Sequence, residues 1–238
     1  MAVILTCLAH FSPDAALSDP MELLDSAEAG RWSAVGRVNS AGFRSTRGCT
    51  GTLIAPSLVI TAAHCAGSAP GINRKRHFVA GWHKGTFVAH RVSTKRELHP
   101  VYPFKRGTEK FAYDVALVEL EEPIPTELVS PIPLAPQSDL TESHFTLMGY
   151  QNRRPHALGI HRDCDVIDSR AERWLILGCE VLNGTSGGAA LVQTTDGWAL
   201  SGVIVARQGP DGNAMVVSVD DWVRSAWKAA LQRDAEKP

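Results

Sequence analysis

Cys49-Thr-Gly-Thr-Leu-Ile-Ala-Pro-Ser-Leu-Val-Ile-Thr-Ala-Ala-His64-Cys65 reads as two β-branched, apolar runs, at 52–54 and 58–61, separated by a Pro-Ser turn. Such a hairpin delivers His64 to the end of a buried strand, beside two cysteines close enough in sequence to bridge. Far downstream, Asn183-Gly184-Thr185-Ser186-Gly187-Gly188 packs three glycines around one serine. Glycine serves where backbone N–H groups must turn inward and approach a substrate closely, and a serine in that setting has its hydroxyl exposed and its neighbours' amides aimed at one point. The two stretches put a candidate general base and a candidate nucleophile in one molecule.

A serine hydroxyl is a weak nucleophile at neutral pH, so it needs a base within hydrogen-bond reach, and that base needs a third group to fix its tautomer. Asp114, in Phe111-Ala-Tyr-Asp114-Val-Ala-Leu-Val-Glu-Leu120, is a lone carboxylate opening an otherwise apolar strand. Buried without a partner it would be costly, so it must be hydrogen-bonded to something cationic or polar, or be protonated. An imidazole that becomes imidazolium during turnover is a suitable partner.

Thr61-Ala-Ala-His64-Cys65, Tyr113-Asp114-Val-Ala-Leu and Gly184-Thr-Ser186-Gly-Gly together resemble the three motifs of the chymotrypsin-like serine peptidases, in that family's order. The resemblance runs from about Trp32 to the end of the chain. Cys49-x-Gly-Thr-Leu-Ile is similar to the strand before the histidine, and His99-Pro-Val-Tyr102 to the segment before the aspartate. Phe145-Thr-Leu-Met-Gly-Tyr150 is similar to the strand opening a second barrel, and the stretch from Asp220 to Leu231 to the closing helix. It implies an all-β fold of two packed six-stranded antiparallel barrels, at about 31–130 and 137–219, with a C-terminal helix at about 220–232. It also implies a serine endopeptidase acting through an acyl-enzyme. Ser186 would be the nucleophile, His64 the base, Asp114 its orienting group, and the amides of Gly184 and Ser186 the oxyanion hole. No cofactor and no metal are required.

Composition agrees. The 238 residues can bury a sizeable core, and 44% hydrophobic with 21% charged residues is ordinary for a soluble globular chain. A net charge of −1 gives no case for nucleic acid or an anionic membrane surface. Protein or peptide substrates and a monomeric enzyme are what the resemblance implies, with no stable membrane insertion expected. Short apolar runs at 34–38, 88–92, 115–120, 189–192, 200–205 and 215–219, punctuated by Gly, Pro, Asn and Asp, are the pattern of antiparallel strands. Only the C-terminus reads as a helix, signalled by Ser218 and Asp220. The proline-rich piece 121–136 suits a crossover between barrels.

Residues 1–30 form an N-terminal segment. The apolar run 2–9 suits a weak or truncated signal peptide cleaved near Ser18, although it lacks a basic start; a buried N-terminal segment is the alternative. Cys7 follows Thr6 rather than Gly or Ala, a poor lipoprotein site. Of the five cysteines, the other four suggest pairs. Cys49 with Cys65 would close the loop carrying His64, as in the resembling family, and Cys164 with Cys179 would clamp the segment leading to Ser186. The second pair looks more like bacterial secreted members of that family. Two disulfides point to an oxidising, secreted or periplasmic location. A metal site from His161, Asp163, Cys164 and Cys179 lacks paired ligand spacing.

Two departures from the digestive enzymes matter. Thr185 stands where those enzymes have the aspartate that pairs with a freed N-terminus, and no matching activation junction precedes Trp32. An oxyanion hole formed without that salt bridge is therefore expected, as in HtrA-like and glutamyl-endopeptidase-like members. The second departure is in the substrate pocket, for which Glu180, Asn183, Val205 and Arg207 are the expected residues. Glu180 lies six residues before Ser186, where trypsin-like members carry the aspartate that binds a basic side chain. Arg207, on the strand expected to line the pocket, could instead neutralise Glu180 or favour an acidic substrate residue. Both readings stay open, cleavage after basic residues standing first. Two functions outside peptide hydrolysis also stay open: an esterase on the same machinery and a catalytically silent binding homologue.

Overall fold

The computed structural model describes residues 21–45, 47–67, 75–136, 144–170 and 173–236. The signal-peptide reading, Ser18 and Cys7 fall outside them. Six strands, β2 (Val35–Asn39), β3 (Cys49–Ala55), β4 (Leu58–Thr61), β5 (His77–Ala80), β6 (Ala89–Leu98) and β7 (Ala116–Leu120), close into a barrel in the order β2-β3-β4-β7-β6-β5. Six more, β8 (His144–Gln151), β9 (Arg154–Arg170), β10 (Trp174–Glu180), β11 (Ala189–Thr194), β12 (Gly197–Gln208) and β13 (Asn213–Ser218), form a second. There β8 pairs with both β11 and β9, which closes the ring. All these pairings are antiparallel. Closure removes the free edges that an open antiparallel sheet would expose.

Local sequence explains the hairpin that carries the histidine. Every residue of β3 except Cys49, and all of β4, are buried. These strands therefore read as continuous apolar runs, and Pro56-Ser57 makes the two-residue turn between them. The turn is then clamped from outside. The helix α3 (Asp221–Ala235) follows the second barrel yet reaches back to the first, where Asp234 accepts from both the amide and the hydroxyl of Ser57, each at 3.0 Å. Trp227 Nε1 donates to the Ile54 carbonyl at 2.7 Å. The helix runs three residues past its expected end at about 232, its last turn held by the polar contact of Asp234.

The crossover 121–136 is hydrogen-bonded first to one barrel and then to the other. The Ile132 amide donates to Leu53 of β3, while the Ala135 amide donates to Leu200 of β12, whose own amide returns a bond to Pro133. Tyr150 of β8 makes a second weld. Its buried hydroxyl donates to the Trp82 carbonyl of the first barrel at 2.8 Å, and burial pushes its ionisation upward, keeping it a donor.

Residues ahead of the first barrel also join the fold. Glu22–Leu23 (β1) pair with β9 opposite Ile160 and Gly159, and Ser26–Arg31 form a short helix (α1) capped by Asp25.

Candidate active site

Beyond Thr61 the backbone turns through Ala62 into a single helical turn, α2 (Ala63–Ala66), which carries His64. The Cys49–Cys65 disulfide ties this turn to the start of β3. Asp114 leads into the neighbouring strand, β7, whose Ala116 is paired with Thr61. It ends a 3-10 helix at Gly107–Tyr113, just before β7, and is only 3% exposed. The burial is compensated, because one carboxylate oxygen accepts from the His64 amide at 2.9 Å and the other meets His64 Nδ1 at 2.6 Å. Tyr102 is buried close by, and burial, then the charge of Asp114, push its hydroxyl up to about 12. The remaining imidazole edge faces outward: the His64 side chain is 40% exposed.

Ser186 lies in the loop between β10 and β11. Two glycines in the left-handed region shape that loop, Gly184 at φ +103° and Gly187 at φ +82°. At Gly187 a Cβ would sit 2.0 Å from the Thr50 carbonyl, so only glycine lets the loop approach β3 this closely. The Ser186 carbonyl accepts from the Thr50 amide at 2.8 Å and lies 3.7 Å from Cys65 Sγ. Ser186 is thereby seated beside the residue that follows His64, while the imidazole and Asp114 are joined directly.

Along the loop, the amides of Thr185, Gly187 and Gly188 donate to Leu182, Ile204 and Thr185 carbonyls. Among the described residues, those of Gly184 and Ser186 have no such partner. These are the two amides expected to receive an oxyanion. Thr185, where the digestive enzymes carry an aspartate, is buried and satisfied within its own turn, its hydroxyl donating to Leu182 at 2.6 Å.

Thr50 is a site residue that the sequence did not flag. Its hydroxyl donates to the Gly184 carbonyl at 3.1 Å and accepts from the Tyr150 amide at 2.9 Å; its carbonyl accepts from the Thr61 hydroxyl at 2.7 Å. One threonine thus joins both barrels to the serine loop. A buried threonine in a strand gives no local signal of such partners.

Beside Ser186 opens a cleft of about 200 Å³ lined by Asn183, Thr185, Ile204, Val205, Ala206 and Arg207, with Leu182. Three of the four expected pocket residues, Asn183, Val205 and Arg207, line it. Glu180 does not. Its carboxylate lies 3.6 Å from the Arg207 guanidinium.

The Cys164–Cys179 disulfide is formed, and His161 Nδ1 lies 3.3 Å from Cys179 Sγ. Both sulfurs are committed to each other, so this cluster offers no thiolate ligand, and burial holds the His161 imidazole below its ordinary pKa.

Comparison with known proteins agrees with this architecture. The sequence profile of the family described as trypsin matches residues 25–223. Serine protease 23 of Bos taurus is 28% identical over 180 residues, an alignment covering 65% of this chain and 46% of that protein, so the chain spans about half the length of this relative. A Glu endopeptidase solved in complex with MPD shares the fold with a TM-score of 0.72 at 17% identity, over 91% of this chain and 98% of the other.

Proposed function

The chain belongs to the trypsin family, and from that premise we propose that it is a serine endopeptidase acting outside the cytoplasm, with Ser186, His64 and Asp114 as its catalytic residues. The observation that carries this reading is the two-point hold of Asp114 on His64. With Nδ1 engaged by a buried carboxylate, the imidazole keeps its proton there and presents Nε2 as the base.

Each step then has an assigned group. Ser186 Oγ attacks the scissile carbonyl carbon as its proton passes to His64 Nε2, and Asp114 stabilises the imidazolium that results. The carbonyl oxygen becomes an oxyanion, which the amides of Gly184 and Ser186 receive. Collapse breaks the C–N bond, with His64 returning its proton to the leaving amine. Water, deprotonated by His64, hydrolyses the acyl-serine ester and restores the enzyme. Neutral hydrogen bonds at Thr185 and Thr50 hold the serine loop, which supports the reading of an oxyanion hole formed without a salt bridge to a freed N-terminus.

Two disulfides and the trypsin-family domain fit an extracellular protein, and among the described residues no helix is long and apolar enough to cross a membrane. Ser186→Ala tests the assignment: peptide hydrolysis should fall on the order of 10⁶-fold in kcat, and retention of near-normal activity would remove Ser186 from the mechanism.

A further inference from the structure

Among the described residues lining the cleft beside Ser186, Arg207 is the one that carries a charge; the others are apolar or neutral. Its position is prepared by the backbone around it. Arg207 lies on β12 opposite Ala214 of β13, and its guanidinium rests on Gly212 in the hairpin between them. A Cβ at Gly212 would fall 2.5 Å from Arg207 Nη2. The Gly212 carbonyl in turn accepts the Val181 amide, so the floor under the guanidinium is fixed to the end of β10. Glu180, the last residue of β10, is not among the residues lining the cleft, and its carboxylate lies 3.6 Å from the Arg207 guanidinium. That is too long for a hydrogen bond, and both side chains are more than 40% exposed. A contact of that kind binds weakly and leaves the planar fork of donors available.

We infer that this cleft selects an aspartyl or glutamyl side chain on the acyl side of the bond to be cleaved, with Arg207 as the residue that recognises its carboxylate. The inference rests on the peptidase reading above. A carboxylate entering past Val205 and Ala206 gains the paired, charge-assisted hydrogen bonds that Glu180 does not make. A lysyl or arginyl side chain in a cleft lined by Arg207 and not by Glu180 meets like-charge repulsion, which works against the basic preference suggested by the spacing of Glu180.

The test is a peptide library varied at the acyl-side residue, read with the whole chain, alongside fluorophosphonate labelling of the same preparation. The expected profile favours Glu or Asp over Lys or Arg by at least about tenfold in kcat/KM, near the scale of one charge-assisted interaction. Arg207→Ala should erase that preference, Arg207→Lys should restore part of it, and Glu180→Gln should keep acidic residues preferred. Thermal melts of the variants identify any that fail to fold, and Arg207→Lys retains the stem and the charge. A basic preference that collapses in Glu180→Gln overturns the inference, as does an acidic preference untouched by Arg207→Ala. Labelled protein without an acidic preference overturns this inference alone; protein that takes no label overturns the peptidase reading and this inference with it.

Discussion

Asp114 holds His64 at two points, 2.6 Å from the ring nitrogen Nδ1 and 2.9 Å from the backbone amide. The second bond fixes the helical turn and the first fixes the ring. Asp114→Asn can still accept from the amide, but it places a neutral amide against Nδ1 and removes the charge that stabilises the imidazolium. Turnover should drop on the order of 10⁴-fold with little change in KM, the pattern of a group acting in the transition state. Steady-state kinetics on a peptide ester and a peptide amide would check it.

Thr50→Val keeps the shape of the side chain and deletes its hydroxyl. The Gly184 carbonyl and the Tyr150 amide then lose their buried partner together. The expected cost is about 2–3 kcal/mol in urea unfolding, the scale of leaving buried polar groups unsatisfied. Because Gly184 belongs to the serine loop, kcat should fall as well. A stability loss with unchanged kcat would show that the threonine only joins the barrels.

At the second barrel's exit, Asp220 caps α3 through the Val223 amide and also meets His99 Nε2 at 2.9 Å and Arg173 Nη2 at 3.0 Å. Burial pushes its carboxyl upward, but the bonds from His99, Val223 and Arg173 outweigh that and hold it down at about 2, below the ordinary 3.8. A carboxyl depressed in the folded state stabilises the fold above its unfolded pKa. The contribution is lost as pH falls from about 4 towards 2. Asp220→Asn should therefore flatten the acid limb of the stability curve by on the order of 1–2 kcal/mol, measured by denaturant unfolding between pH 7 and pH 2. An acid limb unchanged by the substitution would remove Asp220 as its source.

Replacing Cys49 and Cys65 together by Ala opens a loop of sequence separation 16 and should destabilise the fold by about 2–4 kcal/mol. The same change frees the turn carrying His64, so activity should decline more steeply with temperature than in the parent. Calorimetry paired with rates measured below the transition separates the two effects.

Much of this was legible in the chain. The hairpin into His64 could be read because its strands are buried on both faces and so are written as unbroken apolar runs, and the glycines around Ser186 mark a backbone that no other residue fits. Other features had no local signature. The 17-residue strand β9 is rich in charged and polar residues, Arg154-Pro-His and Asp163-Cys-Asp among them, and its extent is set by pairing with both β8 and β10. Thr50 acts through partners 100 and 134 residues away. For Glu180 and Arg207, spacing put both near the pocket, but which of them faces it depends on the turn of β10 and the glycine floor at 212.

The central claim is that Ser186 is a nucleophile activated by His64, and covalent capture tests it most directly. The purified chain is treated with a fluorophosphonate, digested and sequenced by mass spectrometry. The account predicts one phosphonylated residue, Ser186, with labelling lost in Ser186→Ala and slowed by orders of magnitude in His64→Ala. A folded chain that takes no label, or a label carried on another residue and unaffected by either substitution, would contradict it.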